Sequence, residues 1–559
     1  MKKTIVILLG MIPFLGSAQN ISESVTVEGR YKPEVIAADR ISVLPTALTL
    51  KVPDSPMNYD RKGVMAAFAP DALPMEATGW RATKAFDISK GYINVSLGSW
   101  LNSSLSAGYN AIKNDNTRLN IYLQHNSTSL WQAWNEDAAT GTPAADKRFR
   151  YDETIGADIQ QKFGNAGELT AAAQYHYEYF NYYGTAIGPV KQGRIQAPTQ
   201  NLNDVYANAA WQGTVNENFS YAANADVRYF GYSHAYLPNP YNLSEIAKEK
   251  GARETSLNIG GKMECKAGKH GTIELGLRYS GVINSIGNDL NRGELLPSYL
   301  YSGKIFSMRL GINAALVGNG DNTRFRIAPD VMFSVRKGIL AFTAKAGGGT
   351  HFRTLAWTHM YDYYSDPGMG CQQAAYSPID ALMALQLNPG GKWTFGIEGG
   401  WRTTLDETFG GYYQSLLNNK NLPENAFSES GNIHGFCLGA NAGYKFSKYL
   451  ALNGKFSWQP QDGSKGYFNG FDRAAFTADV SAESSPYEKL SIGLDYRLRA
   501  KRLLLPGCFS RLDLRGEYQI TDRISVGAEI RNLLNRHEEM LPDLPLEGIN
   551  FLGILNVKF

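Results

Sequence analysis

Cysteine is scarce in this chain, with four in 559 residues. They lie far apart, at Cys265, Cys371, Cys437 and Cys508. No two of them have CxxC spacing, so the usual signature of a structural zinc site is missing, while free thiols and one loop-bridging pair both remain open. The eight histidines are scattered as well, and the nearest two, His351 and His359, have no ligand companions close by in sequence. We therefore expect neither a metal site nor a cofactor.

An excess of positive charge is missing too. The formal net charge is +3, and Lys2 and Lys3 supply two of these charges. Nucleic-acid binding relies on clustered basic residues that neutralise phosphates, and no basic run is present, so we expect no nucleic-acid partner. There is also no P-loop, no GxSxG and no HExxH motif. Because no nucleophile, base and orienting group occur at a sensible spacing, we expect no enzyme.

A long apolar run is missing after residue 18, so no segment beyond it reaches the roughly 18–20 residues of a membrane helix. The start of the chain, MKKTIVILLGMIPFLGSAQN, has two lysines, an apolar stretch and small residues before Gln19. This pattern predicts a signal peptide over residues 1–18 that is cleaved on export. No cysteine follows the predicted cut, so we expect no lipid anchor there.

What the chain does have is alternation. In RLDLRGEYQI, Arg511–Ile520, apolar residues and glycine occupy one face while Asp, Arg, Glu and Gln occupy the other. The segments RISVGAEIR, KLSIGLDYRLR and TIELGLRYS repeat the pattern. A period of two residues predicts β-strands. About ten residues per strand is the length of a tilted membrane crossing, so these strands are long enough to span a bilayer.

An exported chain that spans a membrane without helices must form a closed barrel, because every backbone polar group has to be paired in lipid. We therefore predict an all-β fold, a transmembrane antiparallel outer-membrane β-barrel of about 22 strands with short periplasmic turns and long extracellular loops. The predicted strands start near residues 91, 103, 116, 148, 168, 203, 218, 253, 271, 297, 305, 324, 338, 376, 392, 431, 449, 473, 489, 510, 523 and 550. Long connections are predicted near 126–147, 181–202, 233–252, 349–375, 404–430 and 534–549. A secreted propeller or sandwich is the alternative.

The end of the chain carries a resemblance to a known family. The segment DRISVGAEIRNLLNRHEE followed by GINFLGILNVKF resembles the end of TonB-dependent receptors, whose barrels have 22 strands. The alternating row Leu555, Val557 and Phe559 resembles the C-terminal signal by which barrel assembly machinery recognises outer-membrane proteins. The opening GYINVSLGSWLNSSLSAGYN of the barrel resembles Bacteroidota outer-membrane proteins.

A second resemblance lies before the barrel. The stretch ISESVTVEGRYKPEVIAADRISVLP is similar to the start of such receptors, and its residues Glu23, Ser24, Val25, Thr26 and Val27 resemble a TonB box. The expected organisation is a signal peptide at 1–18, a periplasmic or luminal segment at 19–89 and the barrel at 90–559. Since the middle segment has only 71 residues, we expect a reduced or missing plug domain.

The wide lumen of such a barrel needs a filler, for which we consider the segment 19–89, inward-folded loops or a partner protein. The charged residues predicted to face inward are Asp226, Arg228, Glu274, Arg278, Glu398, Arg402, Asp495, Arg497, Arg515, Glu517, Glu529 and Arg531. We interpret them mainly as pairs along a wet wall, with binding of the filler as the alternative.

Aromatic residues in the long loops are the candidate ligand contacts: Trp357, Tyr361, Tyr363, Tyr364, Tyr412 and Tyr413. For the earlier cluster YHYEYFNYYG we favour an interfacial girdle over residues 175–179. The predicted function is a receptor that takes a ligand across the outer membrane, with outer-membrane lipids and TonB as partners. The alternatives are a plugless structural subunit bound to a surface or periplasmic lipoprotein, and a passive diffusion channel.

Overall fold

The computed structural model describes residues 90–136, 143–181, 190–191, 194–195, 199–239, 242–361, 373–413, 424–447, 449–459, 474–501, 508–536, 539–541, 544–545 and 547–559. The predicted signal peptide, the segment 19–89 and the TonB-box-like residues lie outside this part of the chain. Within it, no helix is long and apolar enough to cross a membrane.

Twenty-two antiparallel strands form one sheet. The first eleven are β1 Gly91–Gly98, β2 Ser103–Lys113, β3 Thr117–Glu136, β4 Pro143–Lys162, β5 Glu168–Asn181, β6 Thr199–Asn216, β7 Phe219–Tyr232, β8 Arg253–Ala267, β9 Gly271–Asn284, β10 Leu290–Ser302 and β11 Phe306–Asn319. The others are β12 Asn322–Lys337, β13 Leu340–Arg353, β14 Gln373–Leu387, β15 Trp393–Tyr413, β16 Glu424–Ser447, β17 Leu450–Trp458, β18 Phe476–Tyr487, β19 Leu490–Ala500, β20 Phe509–Gln519, β21 Ile524–Arg531 and β22 Asn550–Lys558. Each strand pairs with its sequence neighbours, and β1 also pairs with β22, so the sheet closes into a barrel.

The connections differ at the two ends of the barrel. One end, the turn rim, has short links such as 217–218 and 338–339, whereas the other end, the loop rim, has the long ones. Among the described residues, the loop-rim links contain the α-helix α1, Leu355–Tyr361, and the 3-10 turn Ser99–Leu101. They also contain three small hairpins, formed by Val190–Lys191 with Arg194–Ile195, by His234–Asn239 with Asn242–Lys250, and by Glu539–Leu541 with Leu544–Pro545.

The two faces of the wall have opposite character. On β8, Leu257, Ile259 and Met263 are each more than 40% exposed and point outward. The alternate residues Asn258 and Glu264 on the same strand make polar contacts with neighbouring strands. An apolar outer face is what a bilayer requires of a spanning barrel, while a polar inner face suits a wet lumen. The prediction of a transmembrane all-β barrel is confirmed.

The predicted strand starts agree with the structure in number and order. Starts at 91, 103, 168, 253, 271 and 550 coincide, while the largest errors are seven residues, at 297 and 431. The predicted long loops at 126–147 and 404–430 are partly wrong, because β3, β4, β15 and β16 continue into them. A strand of about twenty residues is twice as long as a crossing needs, so these hairpins keep their backbone groups paired beyond the bilayer.

Opposite charges pair along the inner wall, as the sequence predicts. The ion pairs are Arg228–Asp204 at 2.7 Å, Arg309–Glu274 at 2.5 Å, Arg278–Glu294 at 3.4 Å, Arg402–Asp380 at 2.8 Å, Arg515–Glu483 at 3.1 Å and Arg531–Glu529 at 2.8 Å. Each partner lies on the same strand or a nearby one. These contacts satisfy the charges locally, so the pairing interpretation is confirmed for them.

Candidate luminal site at the loop rim

Helix α1 lies inside the mouth of the barrel. It follows β13, yet its residues contact side chains of β5, β7 and β8, which are between five and eight strands away around the wall. The contacted side chains belong to the polar face, so the helix lies on the luminal side of the wall. The helix starts at a threonine cap, because Trp357 N donates to Thr354 Oγ1 at 3.1 Å. Threonine is a favoured N-cap since its oxygen satisfies a free backbone N–H group.

Glu254 of β8 holds the first turn of α1. Its two carboxylate oxygens accept hydrogen bonds from the backbone N–H groups of Leu355, at 2.5 Å, and Ala356, at 2.9 Å. Only 3% of Glu254 is exposed, and Leu355 and Ala356 are equally buried. A carboxylate that accepts two N–H bonds at a helix start replaces the missing intrahelical partners there. This contact fixes the start of the helix to the inner face of β8.

His359 is the second anchor of α1. Its Nδ1 lies 2.8 Å from the hydroxyl of Tyr232, and its Nε2 lies 3.3 Å from Glu178 Oε1. If Tyr232 donates to Nδ1, the Nε2–H group is free to donate to the carboxylate, which fixes the tautomer. The rings of Phe180 and Phe230 lie 6.3 Å and 5.5 Å from the imidazole. The histidine is therefore enclosed by aromatic residues and joined to the wall by two polar contacts.

Glu178, itself buried, is the centre of a half-buried charge cluster on β4 and β5. Its Oε1 lies 3.0 Å from Arg150 Nη2 and 2.9 Å from His176 Nε2. Arg150 also reaches Asp152 at 3.3 Å, and the other nitrogen of His176 lies 3.4 Å from Asp152. Among the described residues, Oε2 of Glu178 has no hydrogen-bond partner although it is buried. One carboxylate oxygen thus carries the contacts to the arginine and to both histidines.

Three residues of this cluster could in principle hold a metal ion. Asp152, His176 and Glu178 place one oxygen or nitrogen ligand atom each within 4.8 Å of one another. Carboxylate and imidazole groups are ligands that divalent transition metals accept. The guanidinium of Arg150, however, already contacts both carboxylates, so a positive charge occupies the position that a metal would need. As it stands, the cluster is an ion-pair network.

The residue that leads into α1 is also fixed to the wall. Arg353, the last residue of β13, makes two contacts with Glu407 of β15, at 2.5 Å and 2.7 Å. Its guanidinium carbon also lies 4.5 Å from the ring centre of Trp357. A bidentate arginine–carboxylate pair fixes both distance and orientation. The start of the helix is therefore held both by Glu254 and through Arg353.

The predicted ligand residues are not all gathered at one place. Trp357 is half-buried and packs on Arg353. Tyr361 is the last residue of α1, while Tyr412 and Tyr413 end β15 and pair with β16 instead of lying in a loop; the side chains of these three are outside the described part. Tyr363 and Tyr364 lie outside the described residues, as do Glu23, Ser24, Val25, Thr26 and Val27. A ligand role for these aromatics remains a prediction.

The C-terminal row lies where the resemblance requires it. Leu555 and Val557 pair with Val95 and Ile93 of β1, and Phe559 follows the end of β22. Leu555 is 42% exposed and Phe559 is 50% exposed on the outer face. The geometry leaves this row accessible from the membrane side, and its assembly role remains a prediction.

Sequence reasoning missed the residues that anchor α1. The segment YHYEY, residues 175–179, is predicted to be a girdle, and Tyr175 does face outward, with 41% of its surface exposed. The same alternation turns His176, Glu178 and Phe180 toward the lumen. The available signal for an inner polar cluster was the presence of a histidine and a carboxylate, His176 and Glu178, on the inward face of an aromatic strand. Their partner His359 is 181 residues from Glu178 in the chain, and no local pattern predicts that contact.

Comparison with known proteins gives the fold a context. No protein-family model matches the chain, and no curated protein matches it. Among solved structures, a mutant of the ferric enterobactin receptor PfeA of Pseudomonas aeruginosa aligns over 84% of this chain and 80% of its own, with a TM-score of 0.63 and 12% identity. The chain has the barrel fold of TonB-dependent receptors.

Two further structures have this TonB-dependent receptor fold. The FrpB iron transporter of Neisseria meningitidis aligns over 85% of this chain and 82% of its own, with a TM-score of 0.62 and 14% identity. The siderophore receptor PirA of Acinetobacter baumannii aligns over 85% and 81%, with a TM-score of 0.62 and 12% identity. At these identities the likeness establishes the receptor barrel fold and says nothing of a ligand.

Proposed function

We propose that this chain is an outer-membrane receptor barrel that binds a ligand with its long loops and passes it through its lumen. The observation that carries the proposal is the closed 22-strand wall with its polar inner face. Barrels of this size enclose a lumen wide enough for a cargo, and natural transporters keep it plugged. A barrel with a purely structural role has no need of a wide, charged lumen.

The proposed organisation follows from the sequence. Residues 1–18 direct export and are removed, residues 19–89 form a reduced plug-like segment, and residues 90–559 form the barrel in the outer membrane. The outward row Leu555, Val557 and Phe559 is offered to the barrel assembly machinery. Residues 23–27, which resemble a TonB box, give TonB a contact on the periplasmic side. Outer-membrane lipids cover the apolar outer face.

An iron chelate is the first ligand to test. Three structures with this fold are named as a ferric enterobactin receptor, an iron transporter and a siderophore receptor. Tyr363 and Tyr364 are the sequence-predicted contacts, since exposed aromatic rings offer large, rigid binding area. The proposal therefore places recognition in the connection between β13 and β14, next to α1.

Growth under iron limitation tests this function. Cells that depend on the barrel are supplied with a panel of ferric chelates, with and without TonB, and uptake of labelled iron is measured. We expect TonB-dependent uptake of at least one chelate and a clear loss in the double variant Tyr363→Ala/Tyr364→Ala. Tyr175→Ala is the matched control, because Tyr175 faces outward from the wall.

The alternative functions have distinct results in the same cells. A scaffold would show no uptake and a lipoprotein that stays bound through mild purification. A passive channel would show uptake that is independent of TonB and a steady conductance in a planar bilayer. Either result would replace the receptor proposal.

A further inference from the structure

We propose that the inner face of β1–β4 carries a binding site for a neutral oligosaccharide, formed by tyrosine rings and uncharged polar side chains. This site, the luminal tyrosine row, consists of Tyr92 and Tyr122, the glycines beneath them, Gly108 and Gly156, and the polar residues beside them. It goes beyond the proposed function, because it lies on the barrel wall and takes another class of ligand than the loop aromatics. Its test needs neither TonB nor iron, so the row and the uptake proposal can fail separately.

Strand pairing places the two tyrosines on the luminal face. Tyr92 pairs with Gly108, Gly108 pairs with Tyr122, and Tyr122 pairs with Gly156. Residues that are paired across neighbouring strands share one face of the sheet, so these four form a single row. Ile155, the residue before Gly156, is 53% exposed on the apolar outer face. Because successive side chains point to opposite faces, the row faces the lumen.

Each tyrosine side chain lies across a glycine of the next strand. A Cβ atom at Gly108 would lie 2.5 Å from Cε1 of Tyr92, and a Cβ atom at Gly156 would overlap Cζ of Tyr122. Glycine therefore allows both side chains to lean along the wall instead of projecting into the lumen. Tyr92 is 37% exposed and Tyr122 is half-buried, so both rings keep part of their surface open to the lumen.

The spacing of the rings sets the length of the ligand. Neighbouring strands lie about 4.8 Å apart, so Tyr92 on β1 and Tyr122 on β3 are separated by about 10 Å. One sugar ring is too small to contact both, whereas a short chain of sugars can follow the row around the wall. Tyr206 lies further along the same row, since Gly156 pairs with Gln174 and Gln174 pairs with Tyr206. The hydroxyl of Tyr122 donates to Gln174 Oε1 at 3.2 Å, which connects the two parts of the row.

Uncharged polar side chains lie beside the rings. Asn94, Ser106 and Gln124 form the next luminal row toward the loop rim, because they pair with one another across β1, β2 and β3. Within the described part of the chain, none of the three has a side-chain hydrogen bond. Amide and hydroxyl groups both donate and accept, as sugar hydroxyls do. The C–H face of a sugar can thus pack on a ring while the hydroxyls at its edge bond to these groups.

The charge around the rings favours a neutral ligand. The luminal side chains that flank the row on β1, β2 and β3 are uncharged, namely Asn94, Ser106, Asn110, Asn120 and Gln124. One lysine, Lys558 of β22, adjoins Tyr92 at the end of the row. Elsewhere the luminal wall carries ion pairs such as Arg228–Asp204. The stretch between the two rings therefore suits a ligand that needs hydrogen bonds and no counter-ion.

Calorimetric titration of the purified full chain measures binding to the row. The probes are neutral linear hexasaccharides of glucose, mannose, galactose or xylose, with hexagalacturonate as the charged counterpart. We expect at least one neutral hexamer to bind at least about tenfold more tightly than hexagalacturonate, because carboxylates lose hydration without gaining cationic partners. The disaccharide of the same sugar should bind more weakly, since it is too short to contact both rings.

Variants of the tyrosines locate the binding site. Tyr92→Ala/Tyr122→Ala should weaken the tightest hexamer at least about tenfold, because both aromatic contacts are lost. Tyr92→Phe/Tyr122→Phe keeps the rings and should keep most of the affinity. Tyr175→Ala is the matched control, because Tyr175 lies on the outer face and should leave binding unchanged. Heat-modifiable gel mobility confirms that each variant has folded.

Several results would overturn the site. They are absence of binding by every neutral hexamer, full affinity in the folded Tyr92→Ala/Tyr122→Ala variant, and binding of a polyproline peptide in place of any sugar. If the double variant does not fold, Gln124→Ala leaves both rings in place and should weaken sugar binding about threefold to tenfold. Unchanged affinity in that variant would then count against the row. Iron uptake without sugar binding would remove this site and leave the receptor proposal standing.

Discussion

Gly91 and Phe559 exchange two backbone hydrogen bonds across the seam of the barrel. Gly91 N donates to Phe559 O at 2.9 Å, and Phe559 N donates to Gly91 O at 3.0 Å. A Cβ atom at residue 91 would lie 2.7 Å from the Phe559 ring, so glycine lets the ring rest on the strand. The first strand of the barrel and the end of the chain thus fit each other closely, and closure depends on this seam.

The other end of the seam gives a test of closure. A Cβ atom at Gly98 would overlap the backbone carbonyl of Phe551, which has no freedom to move aside. We expect Gly98→Val to destabilise the barrel by about 1–3 kcal/mol, as overpacking usually does. The readout is the urea midpoint for loss of the heat-resistant folded band on a gel.

Gly261→Val is the matched control for the seam. Gly261 lies within β8, and a Cβ atom there would meet no other atom within 4 Å. Both changes add the same side chain to a wall strand, but only at Gly98 does it meet the backbone of the neighbouring strand. Equal midpoints for the two variants would show that the seam is not tightly packed.

The Arg150 cluster yields a prediction about metal binding. Arg150→Gln removes the positive charge between Asp152 and Glu178. Only 3% of the surface of Glu178 is exposed. Breaking a buried ion pair leaves an uncompensated charge, so we expect a loss of about 2–3 kcal/mol of stability. Zn²⁺ or Mn²⁺ should restore part of it in the variant, because Asp152, His176 and Glu178 then offer three ligand atoms to a cation. Thermal unfolding with and without the metal measures both effects.

The arginine variant needs a control of the same kind. Arg309→Gln also removes an arginine from a luminal carboxylate, since Arg309 pairs with Glu274. No histidine completes a ligand set there among the described residues, so added metal should leave its unfolding temperature unchanged. Stabilisation of the otherwise unaltered chain by the same metal would contradict the view that Arg150 takes the place of the cation.

The sequence predicts the strands of the barrel wall far better than it predicts the contacts of α1 at the loop rim. A strand can be predicted from its local sequence alone, because residues such as Leu257, Asn258 and Ile259 alternate between the lipid-facing and the lumen-facing side of the wall. The seven residues of α1 form a helix too short to be stable alone, and it persists because Glu254 supplies its first hydrogen bonds from 101 residues away. Contacts of that range follow from the closed barrel and not from any local pattern. The length of β3 beyond the bilayer escaped prediction, because a long loop was expected from residue 126 onward where the strand continues to Glu136.

TonB dependence can be tested in the segment before the barrel. Val25→Pro removes a backbone N–H group from the stretch that resembles a TonB box, and a partner that pairs with it as an added strand would lose a hydrogen bond. We expect this variant to abolish energised uptake while the barrel remains folded and abundant in the membrane. Val35→Pro, ten residues further on, should retain uptake. Uptake that survives Val25→Pro would argue against this stretch as the TonB contact.

Deletion of residues 19–89, with the signal peptide kept, tests what seals the lumen. If this segment is the filler, the shortened barrel should show discrete open events in a planar bilayer, whereas the full chain stays closed. Adding the 71-residue segment as a separate polypeptide should close the channel again, which excludes damage to the barrel as the cause. If the shortened barrel instead stays closed, α1 and the loops are sufficient.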